Sequence, residues 1–389
     1  MDRGDVDLRR IAYLAILLFG LISLSGDLIY EGARSIIPVY LYTLGASAFI
    51  VGFTGGLGEF LGYGLRLLSG YLADTTRAYW KFTILGYLLL ISIPLLALAG
   101  SWQIAIILIL IERLAKAIRS PARDTLLSSI TQKIGLGKAF GLHELMDQIG
   151  AIGGPLIVTM VLYITSNSFT HAFMSLLIPY MILVLTLSLA YLKLKSYTIQ
   201  IQDKVGSYKS SSYSIPQPLK WYILSVTINT MGLIHISLIL YKVAPKMIPW
   251  AIPILYLIAQ GVDAVIAPLA GLLFDKYGRR VLYVPFALSV IPSILTFIGG
   301  VLNIIMAIVV FGMIYGMQES IYRAAIAQMS PINIRGLAYG LFYTAYGFGF
   351  FISGLVYGFL LDINYLSLAI AYAIVSQVIA ISALRLSLT

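Results

Sequence analysis

The chain has 389 residues, of which 60% are hydrophobic and 11% charged, with a mean hydropathy of +0.93. A soluble domain carries about 25% charged residues, so this composition excludes a soluble protein and puts most of the length in a lipid bilayer. The absence of cysteine excludes disulfides and thiolate chemistry. A net charge of +10 would suit nucleic acid, but the basic residues sit between apolar runs and so imply no nucleic-acid partner.

Residues 1–10, MDRGDVDLRR, are polar, and the apolar run after them is too long for a signal peptide. A crossing needs about 20 apolar residues. Twelve stretches qualify: 11–41, 47–72, 82–100, 103–120, 139–164, 171–193, 219–243, 249–273, 281–300, 302–326, 336–361 and 365–386. Continuous runs predict helices rather than barrel strands. The first is long enough to tilt, or to break near Pro38. With the N-terminus inside, external loops carry only Lys242 and Lys246, while Arg77, Lys81, Arg119, Arg123, Lys133, Lys138, Lys204, Lys209, Lys276 and Arg335 fall on the cytoplasmic side. Both termini are therefore expected in the cytoplasm. The polar, serine-rich stretch 194–218 reads as a linker between bundles 1–193 and 219–389.

A charge at the bilayer centre costs about 2.5–3.5 kcal/mol, so each one inside a crossing calls for a partner or a function. In the first segment Asp27, Glu31 and Arg34 share one helical face, leaving two acids to one arginine and predicting proton or cation binding. In the second, Glu59 and Arg66 stand seven apart, beside Gly52 and Tyr63, as a structural or gating pair. In the fourth, Glu112 pairs with Arg113 or, four residues on, with Lys116. The fifth opens GLHELMDQIGAIGGP, which puts His143, Glu144 and Asp147 within an arc of about 100°. Asp147 is the deepest of the three; the alternative is that they pair with Arg119, Arg123 or Lys138. Asp263 and Glu319 complete the acids, with Arg323 toward the cytoplasmic edge. A carboxylate in a poorly solvated site can bind and release a proton near neutral pH. HELMD also has the outline of a zinc-protease HExxH helix, but no second ligand motif accompanies it.

Two stretches repeat. GYLAD (70–74) returns as GLLFDKYGRR (271–280), and residues 137–155 align with 336–354, so the counterparts of His143, Glu144 and Asp147 are Phe342, Tyr343 and Tyr346. Two copies of the Gly-x-Leu-Ala-Asp-Arg-x-Gly-Arg-Arg/Lys loop in a chain of this length resemble the major facilitator superfamily. The second copy keeps Gly271, Asp275, Gly278, Arg279 and Arg280; the first keeps Gly70 and Asp74 but has Arg77 where the glycine belongs. The resemblance implies a cytoplasmic latch between transporter states. It links Arg113 to proton transfer through the family's helix 4 arginine. Gly141, Gly150, Gly154 and Pro155 resemble the family's helix 5 antiporter pattern, although the glycine pair that should follow is replaced by residues 157–160. Segments EGARSIIPVYLYTLGAS, RSPARD and FGLHELMDQIGA look like a prokaryotic efflux branch, implying a multi-pass protein of the cell membrane.

The expected fold is all-α, with twelve transmembrane helices in two six-helix bundles and a central site between the halves. The expected function is proton-coupled efflux of a small organic or cationic solute by alternating access, without enzyme activity. Its coupling groups are Asp27, Glu31 and Asp147, with Glu144 and His143 beside them. Tyr30, Tyr315, Glu319, Tyr343 and Tyr346 would line the substrate cavity, where an aromatic cluster can stack on an organic or cationic solute. One alternative is divalent-metal export through Asp27, Glu31, His143, Glu144 and Asp147 as ligands. Another is a receptor or scaffold that has lost transport. The only energy source implied is the proton gradient, no cofactor is expected, and a monomer in the bilayer is the default.

Overall fold

The computed structural model describes residues 3–131, 135–202, 215–331 and 334–388, except the side chains of 3–9, 136, 138 and 198–202. Lys133, residues 203–214 of the 194–218 linker with Lys204 and Lys209, and the side chain of Lys138 thus lie outside the described residues. Among the described residues every regular element is helical.

The elements follow the apolar runs. α1 covers Arg3–Thr43 and runs unbroken through Pro38. α2 is Ala48–Thr76, α3 Tyr79–Leu88, α4 Trp102–Thr131 and α5 Leu136–Ile164. α3 continues as two 3-10 turns to Leu98, because Pro94 has no amide hydrogen for an α-helical bond. Short α6 (Phe169–Ser175) leads into α7 (Leu177–Gln202). The seventh run divides into α8 (Gln217–Gly232) and α9 (Ile236–Val243). α10 is Ile252–Tyr277, followed by α11 (Tyr283–Leu288) and α12 (Val290–Ile298). α13 (Val301–Met317) passes through a π-helical turn, Gln318–Tyr322, into α14 (Arg323–Met329); α15 is Arg335–Asp362 and α16 Leu366–Leu388.

Ten of these stretches are long and apolar enough to cross a membrane. They differ from the twelve expected for two reasons. The fourth run carries Glu112, Arg113, Lys116, Arg119, Arg123 and Asp124, too many charges to qualify. Pro249–Ile298 counts once although it is 50 residues long.

The helices form two compact units that do not coincide with the two halves of the repeat. One contains residues 1–34, 65–99 and 107–211; the other contains 35–64, 100–106 and 212–389. The first is held by close helix crossings. A Cβ at Gly150 would stand 2.6 Å from the Leu24 carbonyl oxygen, and one at Gly154 2.5 Å from that of Leu28, so α5 lies against α1 where only glycine fits. Gly86 brings α3 equally close to α4 at Ala115 and Arg119.

In the second unit the first half of α2 lies against α15. A Cβ on Gly52 would come within 2.1 Å of the Gly354 carbonyl oxygen, and one on Gly354 within 2.0 Å of Gly52's. Gly56, Gly347 and Gly358 extend this seam. At its end Asp362 caps α2: Oδ1 accepts from the Ala48 amide at 2.7 Å and Oδ2 from the Phe49 amide at 2.9 Å. A carboxylate suits this position because a helix N-terminus carries unpaired donors and partial positive charge.

The break between α8 and α9 frees backbone groups that have no water to turn to inside a membrane. Side chains satisfy them. Ser293 Oγ accepts from the Ile234 amide at 3.1 Å, Ser353 donates to the Leu233 carbonyl, and Tyr357 donates to the Gly232 carbonyl at 2.7 Å.

Candidate functional site

The charged residues of the first unit converge from α1, α4 and α5. Glu31 is buried, and its carboxylate lies 4.0 Å from the Arg34 guanidinium one turn on. Asp27 has Asp147, Lys116, Glu31 and Arg119 as electrostatic neighbours. Lys116 does not reach back to Glu112 as the i, i+4 spacing predicts. It donates to the Tyr30 hydroxyl and stands 3.8 Å from that ring's centroid. Glu112 turns instead to Arg113 at 3.4 Å and Arg119 at 3.9 Å, all three buried. The expected structural pairing of Glu112 with Arg113 thus acquires a third member.

HELMD divides. His143 is buried and its Nε2 lies 3.8 Å from Asp147 Oδ2. Arg123 is an electrostatic neighbour of both, and it donates to Ser23 at 3.0 Å and binds Asp124 at 2.8 Å. Glu144 is exposed, near Gln148, away from this pair. The three side chains are therefore not gathered in one place: the helical arc that unites them on paper straddles the boundary of the buried face. Among the described residues no three His, Asp or Glu side chains are placed to hold a metal ion.

The glycine pattern on α5 also divides. Gly150 and Gly154 make the α1 crossing, with Pro155 just beyond them inside the helix, whereas a Cβ on Gly141 would meet nothing within 4 Å. In the first loop motif, a Cβ on Gly70 would stand 3.4 Å from Pro121 on α4, and Ser69 donates to the Ala117 carbonyl at 2.7 Å. Asp74 accepts from the Tyr79 hydroxyl at 2.9 Å. In the second, Gly271 faces Ser320 on the π-helical turn, while Asp275 and Arg280 are exposed and Arg279 half-buried. Arg77 and Gly278, at equivalent places, both have positive φ, 51° and 66°.

The second unit holds a neutral polar core and an aromatic group. Asn229 on α8 donates to Gln377 at 2.8 Å and Ser289 at 3.0 Å, and accepts from Tyr322 at 2.8 Å. Tyr346 donates to Gln318 at 2.8 Å. Tyr63 stacks on Tyr343 at 5.5 Å, nearly parallel, and meets Tyr346 edge-on at 5.5 Å. Tyr315 stacks on Phe311, Arg323 donates to the Glu319 carbonyl, and buried Asp263 approaches Gly316. Glu59 belongs to this unit and Arg66 to the other. The carboxylate of Glu59 lies 3.8 Å from His235 Nε2, at the break between α8 and α9.

Residues 21–353 match the Major Facilitator Superfamily, more than half of the chain. The chain belongs to that superfamily. An uncharacterised protein of Mycobacterium tuberculosis is 34% identical over 378 residues, 93% of this chain and 92% of its own. An uncharacterised MFS-type transporter of Methanocaldococcus jannaschii is 31% identical over 377 residues, 93% and 91% of the two chains. The fold is shared with a crystallised variant of the nucleoside transporter NupG at TM-score 0.76 and 14% identity, covering 95% of this chain and 99% of that one. A crystallised variant of the peptide transporter POT gives 0.75 at 13%, covering 98% of each. The protein is a multi-pass membrane transporter of the superfamily.

Sequence reasoning found the acids of this superfamily member by their cost in a membrane, but missed His235, Asn229, Gln318, Gln377 and Asp362. Neutral amides and a lone histidine give no such signal. The run 219–243 reads as one continuous segment, with no sign of the break at Gly232.

Proposed function

We propose that the protein couples inward proton flow to efflux of a small organic or cationic solute across the cell membrane. One observation carries this reading: Asp27 on α1 lies against α5 where a Cβ at Gly150 would stand 2.8 Å from its own Cβ, one turn of helix from Asp147. Two carboxylates brought together in a poorly solvated site compete to stay ionised, which suits the pair to exchanging a proton for a cation. Glu31, tied to Arg34, shapes the field around Asp27, and Arg113 and Arg119 anchor Glu112 behind it. The reading is further supported by a local likeness, 30% identity over 124 residues, to a Photorhabdus laumondii protein named multidrug resistance protein MdtH; it covers 32% of this chain and 31% of that one.

The test is uptake of dyes, drugs and divalent metals into proteoliposomes, with and without an imposed pH gradient. Gradient-driven flux of an organic cation, at least tenfold weaker in Asp27→Asn and Asp147→Asn, is the expected result. Flux indifferent to the gradient and to both substitutions would leave a facilitator. Metal flux that survives loss of the gradient would replace the reading with metal export.

A further inference from the structure

His143 and Asp147 stand one turn apart on α5, inside the compact unit that also holds most of α1 and α4. Their side chains are 4% and 20% exposed, so the histidine is enclosed while the aspartate keeps an opening. Among the described residues neither His143 nitrogen has a hydrogen-bond partner, and neither has Asp147 Oδ1. His143 Nε2 lies 3.8 Å from Asp147 Oδ2, too far for a hydrogen bond. The neighbouring guanidinium is engaged elsewhere: Arg123 on α4 binds Asp124 at 2.8 Å and donates to Ser23 of α1 at 3.0 Å. α5 is also pinned along this face. A Cβ on Gly20 of α1 would stand 3.1 Å from Met146 Cγ, and one on Gly150 stands 2.6 Å from the Leu24 carbonyl oxygen. The helix therefore has no room to slide and bring the pair to other partners.

A neutral imidazole offers one N–H and one lone pair, and a carboxylate oxygen offers lone pairs alone. Inside a membrane protein such capacity is costly to leave unused. With the ring proton on Nδ1, Nε2 and Oδ2 present two acceptors 3.8 Å apart. One ammonium nitrogen reaches both, since a charge-assisted N–H···O bond spans about 2.7–2.9 Å. A quaternary ammonium brings the same charge but no N–H, and leaves both acceptors unpaired.

We propose that His143 and Asp147 form the head-group site for the exported cation, and that the site selects primary and secondary amines over quaternary ammonium compounds. The opening at Asp147 is the way in. The inference deepens the efflux reading and rests on it for the solute being an organic cation. The other half of the repeat has no such pair. Its equivalent positions are Phe342 and Tyr346, and the Tyr346 hydroxyl is taken by Gln318 at 2.8 Å.

The test is equilibrium binding of two tritiated probes to full-length protein in nanodiscs, at neutral pH and without a gradient. The probes are phenethylamine and its N,N,N-trimethyl derivative, which share one ring and one positive charge. The parent is expected to bind the primary amine at least about tenfold more tightly, because a site built for N–H donors is left unpaired by an analogue that lacks them. His143→Phe installs the residue that stands buried at the equivalent place, Phe342, and should bring the two affinities together. Equal affinities in the parent overturn the assignment. A preference that His143→Phe leaves intact also overturns it, since the pair then holds only water. Should His143→Phe fail to fold, His143→Leu removes the same two nitrogens and gives the same answer. Binding of neither probe sinks the organic-cation reading itself, whereas equal binding of both sinks only the selection at His143.

Discussion

Arg77 shows how a sequence departure can be absorbed by one residue's backbone. The loop motif places glycine there, and its counterpart Gly278 adopts φ 66°, ψ −155°, a region open essentially to glycine alone. Arg77 keeps a positive φ, 51°, without being glycine, at a cost of about 1–2 kcal/mol. Arg77→Gly is therefore expected to raise the thermal midpoint in detergent, recovering about 1 kcal/mol. Gly278→Ala is expected to lower it, costing about 1–3 kcal/mol. Equal midpoints for parent and both variants would show that neither backbone is strained. At this scale the acids were legible because a membrane makes each one expensive. Their partners were not, since Lys116 choosing Tyr30 over Glu112 is decided by where α1 lies, and sequence spacing knows only its own helix.

Among the elements, glycines decide which helices touch. Gly52 of α2 and the glycine pattern of α5 were visible, but not that Gly52 would meet Gly354 or that Gly154 would meet Gly32. Side chains at such crossings must push backbones apart. Gly354→Ala places a methyl 2.0 Å from the Gly52 carbonyl oxygen, so it should lower the thermal midpoint in detergent. Gly141→Ala, with nothing within 4 Å of the new methyl, should leave flux and the thermal midpoint as they are. A reversed ranking of the two substitutions would mean that the glycine pattern on α5 serves something other than packing. The break at Gly232–His235 was the least legible element, because its stability comes from Ser293, Ser353 and Tyr357, which lie on other helices.

For the whole molecule, class and family were readable: apolar runs gave the helices, and the duplicated loop gave the family that residues 21–353 match. The boundaries of the runs agree closely where charges are few, as for 336–361 against Arg335–Asp362. Agreement is poorest where the same helix must be both membrane span and charged wall, as in α4. The expected twelve crossings, with both termini inside, are testable because the chain has no cysteine. A membrane-impermeant maleimide applied to intact cells should label Ile248→Cys and spare Thr76→Cys until the membrane is opened. Labelling of both from outside would reverse the orientation read from the lysines and arginines.

Asp362 also bears on how the protein is made. The amides it caps lie 314 and 313 residues earlier in the chain. Until α15 is made, the N-terminal end of α2 has no carboxylate to receive those amides, and the glycines of its seam have no α15 to meet. Residues 35–64 must therefore wait, Glu59 included, until nearly the last helix has left the ribosome. A nascent chain stopped short of α15 is a natural client for the membrane's quality-control machinery, and the final turn of α15 is the point at which the protein ceases to be one.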